Sequence, residues 1–151
     1  MIKTSVTILF AQLPIFIIIL LFLTFDTIVN PISYLINISG HISIIFLFVT
    51  LLSSRIIFLK EKLDRRVLGL ASFFYLIAHM IFYFIDNNFI LEYIVDDLIS
   101  LSFIQVGYFA FVLYLPLVFS SSSKAKIILG KLWSSIHKLI YLILAISLIH
   151  Y

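Results

Sequence analysis

GKLWSSIHKLIYLILAISLIHY, residues 130–151, is one apolar run that carries His137 and His150, two of the four histidines in the chain. Its length and polarity predict a membrane-spanning helix. Thirteen positions separate the two imidazoles, which places them roughly 20 Å apart along a helix axis. That distance suits two cofactor levels within a membrane and is too long for one metal ion. Thirteen steps of about 100° also leave the two side chains about 140° apart around the helix, so they need not face the same neighbour.

The rest of the chain has the same character. Of its 151 residues, 64% are hydrophobic, 17% aromatic and only 11% charged, a composition that cannot fold around one soluble core. The fold class is therefore all-α, an integral membrane bundle. At about 20 residues per crossing there is room for five or six spanning helices and no separate soluble domain. The absence of cysteine excludes disulfides, thiolate metal sites, cysteine nucleophiles and iron–sulfur clusters, leaving histidine as the good nitrogen ligand for a transition metal or heme. The net charge of +3 sits in loops, where it signals orientation in the lipid and not affinity for nucleic acid. Lys3 precedes a long apolar run, but that run exceeds a signal-peptide core and lacks a small-residue cleavage pattern, so it reads as the first spanning helix.

The apolar runs predict helices over residues 8–25, 41–59, 67–85, 98–119 and 130–151, within a single domain 1–151. Pro14 lies inside the first, where neighbouring helices can satisfy the carbonyl it frees. Asp26, Asn30 and Pro31 make a polar break, and residues 31–39 read as a short surface connection before Gly40. Basic segments alternate with acidic ones: Lys3, then Asp26, then Lys60–Arg66, then Asp86–Asp97, then Lys124–Lys131. By the positive-inside rule, the N-terminus and both basic loops face the cytoplasm, and the last helix runs outward.

Orientation gives each histidine a depth. His79 lies thirteen residues past Arg66, and His150 twelve past Lys138, so both sit roughly 18–20 Å beyond the last charge of helices that run in the same direction. They can meet in the outer half of the membrane, as a bis-histidine heme requires. His137, beside Lys138, belongs to a second, inner level, where the corresponding position on helix three is Arg66. If Lys138 snorkels, His79 falls between the two levels and the pairing is open. Intramembrane histidines are costly unless paired, although some only bridge helices through hydrogen bonds. His41 is placed at the outer start of helix two, where an end-of-helix role suits it. Arg55 sits one turn before Lys60, where it can snorkel to the surface or meet a cofactor carboxylate. His41, Arg55 and Arg66 are the candidate cofactor-edge contacts.

Other conspicuous residues have plainer readings. Sixteen phenylalanines and eight tyrosines pack helices or face lipid, and Tyr34, Tyr93, Trp133 and Tyr151 suit membrane interfaces. The Ser120–Ser123 run lacks the glycines and lysine of a nucleotide loop. Asp96 and Asp97 begin helix four, where acids complement the helix dipole.

Arg65-Arg66-Val67-Leu68-Gly69-Leu70 followed by Tyr75, His79 and Tyr83, together with Leu129-Gly130-Lys131, Trp133, His137, Tyr141 and Ile149-His150-Tyr151, resembles the MsrQ/YedZ family of heme-binding membrane subunits of protein-methionine-sulfoxide reductase systems. With Gly40 opening helix two, the likeness covers about residues 39–151. It implies a ferric reductase-like transmembrane domain in the bacterial inner membrane, binding one or two b-type hemes, with FMN as a further cofactor. It also implies electron flow from a cytoplasmic flavin reductase or quinol to a periplasmic molybdopterin enzyme that repairs methionine sulfoxide. This chain would then be an electron-transfer subunit, with no catalytic residues of its own. The family's heme histidines fall on His79, His137 and His150; the flavin site falls on no identified residue.

Departures from the family are specific. Leu101-Ser102-Phe103 stands where the family has Arg-Pro-Tyr, and Ser53-Ser54 where it has Thr-Pro, which puts partner docking and cofactor-edge contacts in question. Members continue past the His-Tyr pair into a sixth helix, whereas this sequence stops at Tyr151, so a truncated or divergent member is expected. The rival expectation is a non-redox membrane homologue that acts in assembly or interaction.

Overall fold

The computed structural model describes residues 2–23 and 29–151, and among these there are helices and no strand. Among the described residues, five helices are long and apolar enough to cross a membrane. Their outward surfaces are as apolar as a core: Leu9 and Phe16 are 66% and 67% exposed, and Leu148 and Ile149 60% and 75%. Exposure on this scale is intolerable in water and natural against lipid. The chain forms two compact units, Met1–Ile90 and Leu91–Tyr151.

In the first unit, α1 (Ile2–Leu23) begins six residues before the expected Ile8. Its polar first turns are held by residues 60–64: Thr4 Oγ1 donates to Asp64 Oδ2 at 3.1 Å, the Asp64 N–H donates to Thr7 Oγ1 at 2.8 Å, and Lys3 Nζ donates to the Lys60 carbonyl. Residues 24 and 25 of the expected helix, and Asp26, lie outside the described residues.

Helix α2 spans Pro31–Leu52, not 41–59. Asn30 and Pro31, expected to break the chain, instead start it. The Asn30 side chain accepts from the Ser33 N–H at 3.2 Å, and proline at the first helical position gives up an N–H that has no helical partner there. The residues expected to lie on the surface, 31–39, are thus the first turns of the span. The helix stops at Leu52 where the Ser53 and Ser54 hydroxyls donate to the Thr50 and Leu51 carbonyls at 2.8 and 2.6 Å, competing with the ladder. A turn and the six-residue α3 (Ile57–Lys62) follow.

Helix α4 (Arg65–Asp86) is N-capped by Asp64, which accepts the Arg66 N–H at 3.0 Å. It packs along α2. Ser43 and Ser72 exchange hydrogen bonds, each hydroxyl donating to the other's carbonyl, at 2.9 and 2.7 Å. Small side chains of this kind let two helices approach closely in an apolar medium. Tyr75, 1% exposed, stacks on Phe46 with ring centroids 5.6 Å apart, and its hydroxyl donates to the Ala11 carbonyl at 2.8 Å. The Ile15 amide, which would ordinarily bond that carbonyl, also reaches the hydroxyl. Tyr75 thus ties α4 to α1 near Pro14, one residue along from the Phe10 carbonyl that proline leaves without its helical donor.

In the second unit, the expected helix 98–119 is divided. An acidic, amphipathic α5 (Leu91–Ser100) holds Asp96 and Asp97, and α6 (Ser102–Phe119) starts after an extended Leu101 that has no side-chain cap. The acidic pair is therefore near the end of α5 and does not begin the span. The basic loop forms α7 (Ser123–Leu129), and Gly130, with φ of +51°, turns the chain into α8 (Lys131–His137). The expected helix 130–151 is tightened at Lys138, where Lys138 N–H bonds the Ser135 carbonyl and Tyr141 N–H the Lys138 carbonyl, both three residues back, at 3.2 Å. Helix α9 (Leu139–His150) continues from there and packs on α6, with Ala110, Tyr114, Leu117 and Ile143 buried.

Candidate functional site

His79 lies two-thirds of the way along α4, half-buried, and its ring is set against Gly40 of α2. A Cβ on Gly40 would stand 3.1 Å from Nδ1 and 3.3 Å from Cε1 of the imidazole. Glycine is what allows the ring this close to the neighbouring backbone. Nδ1 bonds the carbonyl of Ile36 at 2.8 Å, four residues before Gly40 on the same helix. A carbonyl only accepts, so Nδ1 carries the proton, and in the neutral ring Nε2 carries the lone pair.

His150 is built the same way in the second unit. Its Nδ1 donates to the Phe103 carbonyl of α6 at 2.6 Å, and Phe103 is four residues before Gly107. A Cβ on Gly107 would fall 2.7 Å from Cε1 and 2.9 Å from Nδ1 of His150. Here too the ring occupies space that only glycine leaves open.

The other two histidines use their own helices. His137 donates from Nδ1 to the Trp133 carbonyl at 3.0 Å and stacks on the Trp133 ring, centroids 4.0 Å apart. Trp133 is held by Nε1 donating to the Ser120 carbonyl at 3.0 Å, with Lys126 Nζ 4.9 Å from the centre of its ring. His41 donates from Nδ1 to Asn37 at 2.8 Å and is exposed. It is not at the start of helix two as expected, because α2 begins ten residues earlier, at Pro31.

Of the candidate edge contacts, Arg55 is exposed in the turn after α2, beyond the end of the span, and Arg66 is exposed in the first turn of α4. Among the described residues no three His, Asp or Glu side chains converge on a metal-sized site. A metal-bound histidine typically donates its second ring nitrogen to a carbonyl or carboxylate, which fixes tautomer and orientation. His79 and His150 have that arrangement within apolar spans, so the residues present fit axial ligation of heme iron through Nε2.

Gly107 and Ile36 were not singled out in the sequence, and Phe103 only within a departure from the family pattern, because their part is played by backbone. One signal was available. A lone glycine in an apolar helix costs helix stability unless something approaches the backbone there, and Gly107 is the one glycine of the 102–119 run.

Residues 39–148 match the model of the family described as ferric reductase like transmembrane component. The chain is 35% identical over 129 residues to the protein-methionine-sulfoxide reductase heme-binding subunit MsrQ of Herminiimonas arsenicoxydans, an alignment covering 81% of this chain and 59% of that protein. It is 34% identical to the MsrQ of Agrobacterium fabrum and 36% to that of Brucella ovis, each over 88 residues, 58% of this chain and 41% and 40% of those proteins. The chain thus spans about two-fifths to three-fifths of the length of these curated relatives. No solved structure matches it. Five apolar spans, no strand among the described residues and a family match over most of the length agree: this is a multi-pass membrane protein of the ferric reductase-like transmembrane family, with the MsrQ heme-binding subunits as its relatives.

Proposed function

We propose that this chain is a membrane b-type cytochrome that carries electrons across the bacterial inner membrane and performs no bond chemistry itself. The observation that carries the reading is that His79 and His150, each in an apolar span, donate Nδ1–H to a neighbouring helix's carbonyl at 2.8 and 2.6 Å. Each thereby presents Nε2 as the ligating nitrogen. Heme iron, when bound, supplies a reversible one-electron couple whose potential is tuned by axial ligands and their hydrogen bonds. By the depth count from the sequence, His79 and His150 are our candidates for ligands of an outer heme, and His137 for a ligand or contact of an inner one.

The basic segments Lys60–Arg66 and Lys124–Lys131, cytoplasmic by the positive-inside rule, receive the electron donor, a flavin reductase or quinol. FMN is a further cofactor on the strength of the family resemblance. The acceptor on the opposite side is, on the strength of the family resemblance, a periplasmic molybdopterin enzyme; the curated relatives are named as heme-binding subunits of protein-methionine-sulfoxide reductase. Heme content and optical spectra of His79→Ala, His150→Ala and His137→Ala test the assignment. Loss of the low-spin signal in the first two, with retention of the outer heme in the third, is expected. Full heme content in His79→Ala contradicts the pairing.

A further inference from the structure

The two histidines are seated by one device used twice. In each unit a glycine of one helix admits the edge of an imidazole from another, and the carbonyl four residues before that glycine takes the Nδ1 proton: Gly40 with Ile36 for His79, Gly107 with Phe103 for His150. The pairing is not a general property of the chain's glycines or histidines. A Cβ on Gly69 would meet only Thr50 Cγ2, at 3.8 Å, an ordinary contact. His41 and His137 instead bond the carbonyl four residues back on their own helices.

We infer that Gly40 and Gly107 are positioning residues for the ligand histidines, together with the Ile36 and Phe103 carbonyls that they make reachable. The glycine fixes how near the ring lies to the neighbouring helix, and the carbonyl fixes which nitrogen holds the proton. A helix carbonyl already accepts one N–H from within its helix, and its second lone pair is free to serve the imidazole. Donation from Nδ1 makes Nε2 more basic, which favours the ferric over the ferrous state. The two seats differ in tightness. The hypothetical Cβ at Gly107 lies at 2.7 Å, inside any normal contact, and that at Gly40 at 3.1 Å, where a shift of a few tenths of an ångström suffices.

This inference rests on His79 and His150 being heme ligands, and the test keeps the two apart. Protein made without heme and labelled with 15N at histidine reads the ring nitrogens directly. Nδ1–H with an unprotonated Nε2 at His79 and His150 is expected, and the opposite tautomer overturns the inference whether or not the protein binds heme. Gly107→Ala, Gly40→Ala and Gly69→Ala are then titrated with heme and their midpoint potentials measured. Gly107→Ala is expected to lose about 10–100-fold in heme affinity, the range for lost outer-shell support of a metal ligand. Gly40→Ala is expected to lose about tenfold or less, with a more positive potential for whatever heme remains, and Gly69→Ala to match the parent. Alanine is the better helix former, so weakened helices do not account for such a pattern. Unchanged affinity, potential and 15N shifts in Gly107→Ala overturn the inference; absence of heme from the parent protein removes the proposed function but leaves the tautomer result decisive for the seats.

Discussion

Replacing Tyr75 with phenylalanine removes one oxygen from the centre of the first unit and leaves the rest of the side chain in place. The ring is 1% exposed and stacked on Phe46 at 5.6 Å, so packing is preserved. What is lost is the hydroxyl that donates to the Ala11 carbonyl at 2.8 Å next to Pro14. A neutral hydrogen bond contributes about 0.5–1.5 kcal/mol net, and interhelical bonds measured in a membrane protein average about 0.6 kcal/mol with a maximum near 1.7. Tyr75→Phe is therefore expected to cost about 1 kcal/mol, against about 3–5 kcal/mol for Tyr75→Ala, which also opens a cavity. Reversible unfolding in mixed detergent micelles measures both. Pro14 frees the Phe10 carbonyl and not that of Ala11, so the cost of Tyr75→Phe should be about the same in a Pro14→Ala background. An unchanged stability in Tyr75→Phe refutes the idea that the hydroxyl ties α4 to α1.

Asp64→Ala removes the cap of α4 and the acceptor for Thr4; loss of an N-cap costs about 1 kcal/mol, to be seen as faster hydrogen exchange at Asp64–Arg66 with the core of α4 unaffected. Trp133→Leu loses the hydrogen bond to Ser120, the Lys126 contact and the His137 stack, and should destabilise the second unit by about 1–2 kcal/mol, with Trp133→Phe recovering part of this in the same micellar unfolding assay. Reversing Lys60, Lys62 and Arg65 to glutamate should slow electron entry from an anionic donor about tenfold or more at low salt and little at high salt; stopped-flow reduction that ignores both salt and charge removes the docking role of this segment.

The class of fold was legible because apolar runs of this length have few alternatives; the described residues hold five spans, the second at Pro31–Leu52 and not at 41–59. The ends of the helices were harder. Asn30-Pro31 has the composition of a break and of a helix start alike, and only the Asn30–Ser33 bond decides between them. The division at Leu101 and the tightening at Lys138 carry no proline or glycine to announce them. Charge counting placed His79 and His150 at a similar depth in the outer half of the membrane, but their seats depend on which backbone lies opposite each ring. Gly40 was noticed as a helix opener when its part is to make room for His79, a tertiary contact between residues 39 positions apart that no local pattern encodes.

The central claim is that two histidines in separate spans present Nε2 to one heme iron. Absorption and low-temperature EPR spectra of the purified chain, expressed with heme supplied and recorded before and after dithionite, test it most directly. A low-spin bis-histidine ferric signal with a Soret band that shifts on reduction, both lost in His79→Ala and in His150→Ala, is the predicted result. A chain that folds with its helices intact yet shows no reducible Soret band contradicts the claim and favours a non-redox membrane component.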